Sequence, residues 1–335
     1  MPLTILSPQS PHDTSTPIRR GTSSLDVGLI NSMPDPALQV TERQFCNLLK
    51  NASESFDVRL KFFSLPEVPR SEPARRRISD YYYELSAMWD CGLDALIVTG
   101  TEPLLPDLTR EVYWNSLVAV IDWARTEVRS SIWSCLAAHA AVLYLDGVKR
   151  QKLSQKCFGV FEHQLTSAHL LTHGMAELQL TPHSRWNDVA RSALQSCGYD
   201  ILTHSSAAGV NLFSKRVGGL FVCLQGHPEY EDRSLLKEYQ RDILRFLRRE
   251  RGIYPNMPQG YFSSAATEQL AAFQARAVSM PTEGLMDSFP IGAASAGLKN
   301  TWHDSAVQLY RNWLGLIAKD KAERAHVRAA ARVKS

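Results

Sequence analysis

Residues 130–145 read SSIWSCLAAHAAVLYL, and the pattern changes character once, at Cys135. Ser130 to Ser134 centre on Ile132 and Trp133, which favour strands, whereas the run from Leu136 to Leu145 is dominated by alanine and leucine, which favour helices. A strand passing into a helix through one residue is half of a βαβ crossover, the unit from which parallel sheets are built. It also sets Cys135 at the carboxyl edge of such a sheet, where ligands of α/β folds bind.

The alternation continues on both sides. Short apolar runs at 25–30, 58–65, 95–100, 176–180, 210–214 and 220–225 are read as further strands. Helices are expected over 41–50, 79–89, 111–127, 136–145, 233–249 and 302–318. In the third of these, Leu117, Val118, Ile121 and Ala124 recur at helical spacing and can cover a sheet face, while Asp122, Arg125 and Glu127 stay in water. The stretch 233–249 carries an apolar stripe from Leu235 to Leu247 and a basic end that suits the helix dipole, with Gly252 taken as its stop. Phe158, Val160 and Phe161 suggest a strand at 158–165 that leaves the main sheet. The fold class expected is α/β: a doubly wound, mostly parallel sheet with flanking helices and a C-terminal helical extension.

Residues 1–24, rich in Ser, Thr and Pro and without a period, are read as a flexible leader. The α/β domain is expected at 25–262. An extension at 263–318, with a Ser-, Pro-, Gly- and Ala-rich loop or linker at 278–299, is expected to pack on that domain, and 319–335 reads as a basic tail in a frayed, solvated helix.

With 44% apolar and 21% charged residues, the composition is that of an ordinary globular protein and not of a disordered one. A formal charge of +3 with scattered basic residues argues against nucleic acid as a partner. The chain has no apolar run of membrane-spanning length and no apolar signal core at its start, so neither a membrane nor secretion is expected and the cytoplasm fits best. The six cysteines lie far apart without a C-x-x-C pair, which speaks against zinc and against a disulfide framework; no metal is assigned.

Cys135 is the candidate nucleophile. The amino end of a helix favours an anion such as a thiolate, and the strand-to-helix turn has the shape of a nucleophile elbow. Most free cysteines are nonetheless small buried hydrophobes, so a base is needed. Gly226-His227-Pro228-Glu229-Tyr230 follows the strand-like LFVCLQ and therefore falls at the same sheet edge. His227 can meet Cys135 there, and Glu229 can fix one tautomer of the imidazole and stabilise its charged form. Backbone amides of Leu136 and of the turn at Thr101, after Val98-Thr99-Gly100, are placed to receive an oxyanion. His139, His163 and His183 are read first as hydrogen-bonded members of the fold, the last two with a share in shaping the pocket.

In its motifs the chain resembles the homoserine O-succinyltransferase family. The pieces that carry the resemblance are Asn31-Ser32-Met33-Pro34, Thr41-Glu42-Arg43-Gln44-Phe45, Val98-Thr99-Gly100, Tyr113-Trp114, Phe158-Gly159-Val160-Phe161-Glu162-His163, Pro182-His183-Ser184-Arg185 and Gly226-His227-Pro228-Glu229-Tyr230. They cover most of 25–262 and resume near 302–314. The resemblance implies a fold related to class I glutamine amidotransferases and an enzyme of methionine biosynthesis. It implies that Cys135 carries the acyl group as a thioester, that His227 is the base, and that Glu229 assists it. It further implies that Lys156, Ser184 and Arg241 bind substrate, that acyl-CoA is a co-substrate with no bound cofactor, that L-homoserine is the acceptor, and that the enzyme is a homodimer.

The chain departs from the family in several places. Asp35 and Pro36 stand where a lysine usually follows Met-Pro, Leu136 replaces the usual tryptophan after the cysteine, and Thr99-Gly100-Thr101-Glu102-Pro103 replaces Thr-Gly-Ala-Pro. At the position where family members carry glycine with succinyl-CoA and glutamate with acetyl-CoA, the count puts Leu104, which is neither. Glu102 stands near it, able to repel a succinyl carboxylate if turned inward, and basic residues nearby can attract one. Succinyl-CoA is expected over acetyl-CoA, with serine or another hydroxy amino acid as an alternative acceptor. Two other classes stay open: a glutaminase, whose elbow usually carries flanking glycines that Ser134 and Leu136 to Ala138 lack, and a noncatalytic binding protein on the same scaffold.

Overall fold

The computed structural model describes residues 3–9 and 24–333, the side chains of 327–333 excepted. Its strands are β1 (Leu3–Leu6), β2 (Ser24–Ile30), β3 (Asp57–Phe63), β4 (Ala95–Val98), β5 (Ser130–Ser134), β6 (Gln151–Leu165), β7 (Leu178–Asp188), β8 (Asp200–Ile201), β9 (Thr203–Ser205), β10 (Gly209–Val210), β11 (Leu212–Val217) and β12 (Gly219–Leu224). Eight of them form one sheet in the order β1-β3-β2-β4-β5-β12-β11-β8, and four form a second in the order β10-β9-β6-β7. From β1 to β12 every pairing in the large sheet is parallel; β11 and β8 close it antiparallel.

The helices are α1 (Asp35–Ala52), α2 (Glu72–Tyr81), α3 (Trp114–Glu127), α4 (Leu136–Asp146), α5 (Arg191–Ser196), α6 (Ser234–Leu247), α7 (Ser264–Ser279), α8 (Ile291–Ser295) and α9 (His303–Val333). Strand side chains alternate between faces, and here both faces are buried. Leu25, Val27, Leu29 and Ile97 pack with α1 and α9, while Leu96, Val98 and Trp133 pack with α3 and α4. That is the doubly wound α/β sandwich expected. A third apolar cluster joins α6, α7 and Phe289 beside the second sheet's Phe158.

The central strand-to-helix unit forms where its residues propose it. β5 is buried throughout, and α4 runs until Gly147, whose φ of 68° and amide bond to Leu143 O (3.0 Å) end it with a left-handed turn. Elsewhere, long-range contacts override local pattern. The leader expected at 1–24 includes an edge strand, because Leu3 to Leu6 pair in parallel with Val58 to Lys61; residues 1–2 and 10–23 of that segment lie outside the described residues. The helix expected at 79–89 is shifted. α2 ends at Tyr81, and Tyr82 turns inward, its phenol 2.8 Å from Glu42 Oε1, before a 3-10 turn at Leu85–Asp90.

The strand expected at 176–180 starts at Leu178 and belongs to the second sheet, as does the strand expected at 158–165. The one at 210–214 divides: Val210 pairs in the small sheet, whereas Leu212 onward pairs with β12 in the large one. Helix α7 has no counterpart in the sequence reading, and the linker at 278–299 contains α8 with Ala294 fully buried. Helix α6 stops at Leu247 with Arg249 at a φ of 61°, ahead of Gly252. Among the described residues no helix is long and apolar enough to cross a membrane.

Helix α9 is fastened to the sheet by Trp313, which is fully buried and donates its indole N–H to Ser130 Oγ at 2.8 Å. Trp313→Ala removes that bond and opens a cavity behind β5, so the unfolding free energy is expected to fall by about 3–5 kcal/mol, read as a lower urea midpoint at unchanged slope.

Candidate active site

Strands β5 and β12 lie side by side in parallel, with Ser134 opposite Leu224. The residues that follow them in sequence therefore emerge together at the carboxyl edge. Cys135 adopts φ 52° and ψ −112°, a left-handed conformation that a residue with a Cβ resists, at a cost of roughly 1–3 kcal/mol. The structure holds it there from both sides: Cys135 N donates to Leu224 O at 2.7 Å, and Cys135 O accepts from His139 N at 3.3 Å. The twist turns the side chain out of the ladder at the head of α4, which is how a nucleophile elbow presents its reactive atom.

The neighbouring β12 passes into a turn pinned by several bonds. Gly226 N donates to Asn211 Oδ1 (2.8 Å) and His227 N to Pro182 O (2.8 Å), which ties the turn to the second sheet. Gln225, fully buried, donates to Val210 O (2.6 Å) and Asp188 Oδ1 (2.8 Å) and meets His139 Nε2 at 2.8 Å. Burial pushes His139 down to about 4, so it is neutral and acts as a strut between the first turn of α4 and the His227 turn. His163 and His183, stacked at 5.0 Å in the second sheet, are likewise held below their ordinary value by burial, fold members as expected.

His227 is buried, with Nδ1 2.8 Å from Glu229 Oε1. Glu229 thus accepts the Nδ1 proton, which leaves Nε2 as the ring nitrogen without a carboxylate partner. Burial alone would lower this imidazole's pKa. The Glu229 carboxylate, with a further contribution from Cys135, outweighs it and lifts His227 well above its ordinary value. The Tyr230 ring stacks on the imidazole at 4.4 Å and 17° between planes, covering one face.

Gly100, after β4, lies against the elbow so closely that a Cβ on it would come within 3.1 Å of Leu136 N and 3.3 Å of Ser134 O. The absent side chain lets the strand-end loop bearing Thr101 approach the Leu136 amide. Farther along that loop, Leu104 is 73% exposed, and Glu102 is drawn to Arg245 Nη1 at 3.2 Å.

The three residues expected to bind substrate, Lys156 of β6, Ser184 of β7 and Arg241 of α6, come together around an α6 carboxylate that sequence reasoning missed. Glu238 accepts from Ser184 Oγ and from the Tyr230 hydroxyl, and lies 3.5 Å from Lys156 Nζ and 3.7 Å from Arg241 Nη2. Lys156 Nζ also donates to Asp242 Oδ2 at 2.9 Å, and Arg241 reaches Asp242 Oδ1 at 3.2 Å. Burial opposes ionisation of Glu238, yet Lys156, Arg241 and the two hydroxyl bonds hold its pKa below the ordinary value. Only its i,i+3 spacing from Arg241 hinted at a role. Because Tyr230 touches both His227 and Glu238, this ionic patch is continuous with the His227–Glu229 pair.

The model of the homoserine O-succinyltransferases matches residues 12–323 of the chain. The chain belongs to the homoserine O-succinyltransferase family. Members from Rhodopseudomonas palustris and Bradyrhizobium japonicum, each named homoserine O-succinyltransferase, are 44% and 42% identical to it, over 88% of this chain and 89% and 90% of theirs. A family member from Methylorubrum extorquens is 42% identical over 88% of this chain and 87% of its own. Among solved structures, a glutamine amidotransferase of Methylobacillus flagellatus aligns with a TM-score of 0.48 at 12% identity, covering 88% of this chain and 96% of that one.

The elevated His227 pKa has a definite sign for this family member. A folded-state value above the unfolded one contributes stability that is complete below the unfolded value of 6.5 and is lost as pH rises through the folded value. Glu229→Gln removes the largest favourable charge. The His227 titration, followed by NMR, is expected to move to lower pH, and the stability gap between wild type and variant to be widest just below pH 6.5 and to close as pH rises.

Proposed function

We propose that the protein transfers an acyl group, succinyl in preference to acetyl, from its CoA thioester to the hydroxyl of L-homoserine, through a thioester on Cys135, in methionine biosynthesis. The observation that carries this reading is the meeting of the strained Cys135 with the His227–Glu229 pair at adjacent strand ends. Family membership supports the choice of acyl transfer.

A protonated imidazole beside the sulfur favours the thiolate, which attacks the carbonyl of the acyl-CoA. The amides of Leu136 and Thr101 receive the negative oxygen of the tetrahedral intermediate. As the intermediate collapses, the carbon–sulfur bond to CoA breaks and His227 gives its proton to the departing thiolate. One thioester replaces another, so this step has little thermodynamic drive in either direction. Homoserine then enters, and the now neutral Nε2 takes its hydroxyl proton while the oxygen attacks the acyl carbon. Cys135 leaves as a thiolate beside a restored imidazolium, and the oxygen ester departs.

The α6 patch suits an amino acid acceptor. Its partly exposed carboxylate Glu238 offers a partner to an ammonium, and Arg241, with 49% of its side chain in water, retains free donors for a carboxylate. Two measurements test the reading. Without acceptor, the wild-type protein is expected to release one CoA per chain in a burst and to keep the acyl mass on the Cys135 peptide; Cys135→Ala loses both, and wild-type CoA release from that variant would rule out the sulfur as nucleophile. Glu238→Gln is expected to raise the KM for homoserine roughly 30-fold while leaving the burst intact.

A further inference from the structure

The turn that carries the base is closed by its own backbone. Tyr230 N donates to His227 O at 3.1 Å across His227-Pro228-Glu229-Tyr230, with proline at the second place, where its fixed φ suits a tight turn. Closure brings the first and last side chains together, and the phenol lies over the imidazole with ring centres 4.4 Å apart and 17° between planes. The turn is also held from outside. The carbonyl of Tyr230 accepts the indole N–H of Trp302 at 2.8 Å and the Asn300 side-chain amide at 3.2 Å, both from the segment just ahead of α9. Trp302 is buried, so the packing of the C-terminal extension fixes this anchor.

The hydroxyl end of the same ring meets Glu238, whose two oxygens have different surroundings. Oε2 faces Ser184, Lys156 and Arg241, whereas among the described residues the Tyr230 hydroxyl is the partner of Oε1. Burial and then the charge of Glu238 push the phenol's pKa well above its ordinary value, so it stays protonated and remains a donor to the carboxylate. A carboxylate oxygen has two lone pairs, and Oε1, with one bond, keeps an acceptor site for an incoming N–H.

The bond from Nδ1 to Glu229 fixes one edge of the His227 ring and leaves it free to tilt about that edge. A flat neighbour face to face with it removes the tilt. Tyr230 can act in this way because its own ring is tied at both ends, by Trp302 and Asn300 at the backbone and by Glu238 at the hydroxyl.

We propose that Tyr230 is a positioning residue for both halves of the reaction, its ring holding the plane of the base and its hydroxyl holding Glu238 toward the ammonium of the acceptor. The inference rests on the acyl-transfer reading and adds a residue that acts through His227 and Glu238 rather than on either substrate.

The test compares full-length wild type, Tyr230→Phe and Tyr230→Leu, measuring the rate of CoA release from succinyl-CoA before acceptor is added and the steady-state KM for homoserine. Phenylalanine keeps the stack and loses the carboxylate bond; leucine loses both. In Tyr230→Phe the KM is expected to rise on the order of 10-fold, as when a hydrogen bond to a charged group is removed, and the release rate to fall by less than about threefold. In Tyr230→Leu the release rate is expected to fall on the order of 10- to 100-fold as well, because the base is out of line. Burst amplitude counts the competent sites in each preparation, so a loss of folded protein leaves the rates per site comparable. An unchanged KM in Tyr230→Phe, a wild-type release rate in Tyr230→Leu, or an equal fall in both assays for both variants overturns the proposal, and the last of these leaves Tyr230 as a prop for the turn. CoA release by the wild type tests the acyl-transfer reading separately; its absence with every acyl donor would overturn that reading and the positioning argument with it.

Discussion

The hydrogen bond from Cys135 N to Leu224 O, 2.7 Å long, is the last rung of the parallel ladder between β5 and β12. Both strands are buried on every residue, so their register is set by packing on two faces and cannot slip without exposing one of them. That ladder brings two turns distant in sequence to one edge, and it forces the backbone of Cys135 into a conformation that its Cβ disfavours. The strain is sustained because the ladder above and α4 below are fixed independently.

Around that rung the polar groups are arranged in two registers of charge. At the elbow, one buried imidazole is held by the Glu229 carboxylate, and the attraction prevails over the cost of burying it. Behind the stacked Tyr230, two carboxylates of α6 are balanced by Lys156 and Arg241. A mostly buried acid such as Glu238, whose side chain is 17% exposed, keeps its charge only with such partners.

Some of this was legible in the residues and some was not. The strand–Cys–helix unit, the pairing of that cysteine with His227 and Glu229, and the places of Lys156, Ser184 and Arg241 follow from motifs. The failures share a cause. Tyr82 leaves a helical pattern because a buried acid binds its hydroxyl, Leu3 to Leu6 become a strand because an unpaired edge of β3 receives them, and 210–214 divides between two sheets. In each case a partner far along the chain supplied the stabilisation, and no window of sequence contains it.

What the sequence by itself determined is the local grammar: periods of apolar residues, the break at Cys135, and the composition of the turn at His227. These depend on a residue's neighbours, through rotamer freedom and the spacing of a buried stripe, and are written in short stretches. Tertiary structure alone decided that β5 adjoins β12 and that Glu238 sits at the centre of four polar partners. Strand order and the meeting of charges are set by burial of the whole chain at once, a condition that no single segment can express.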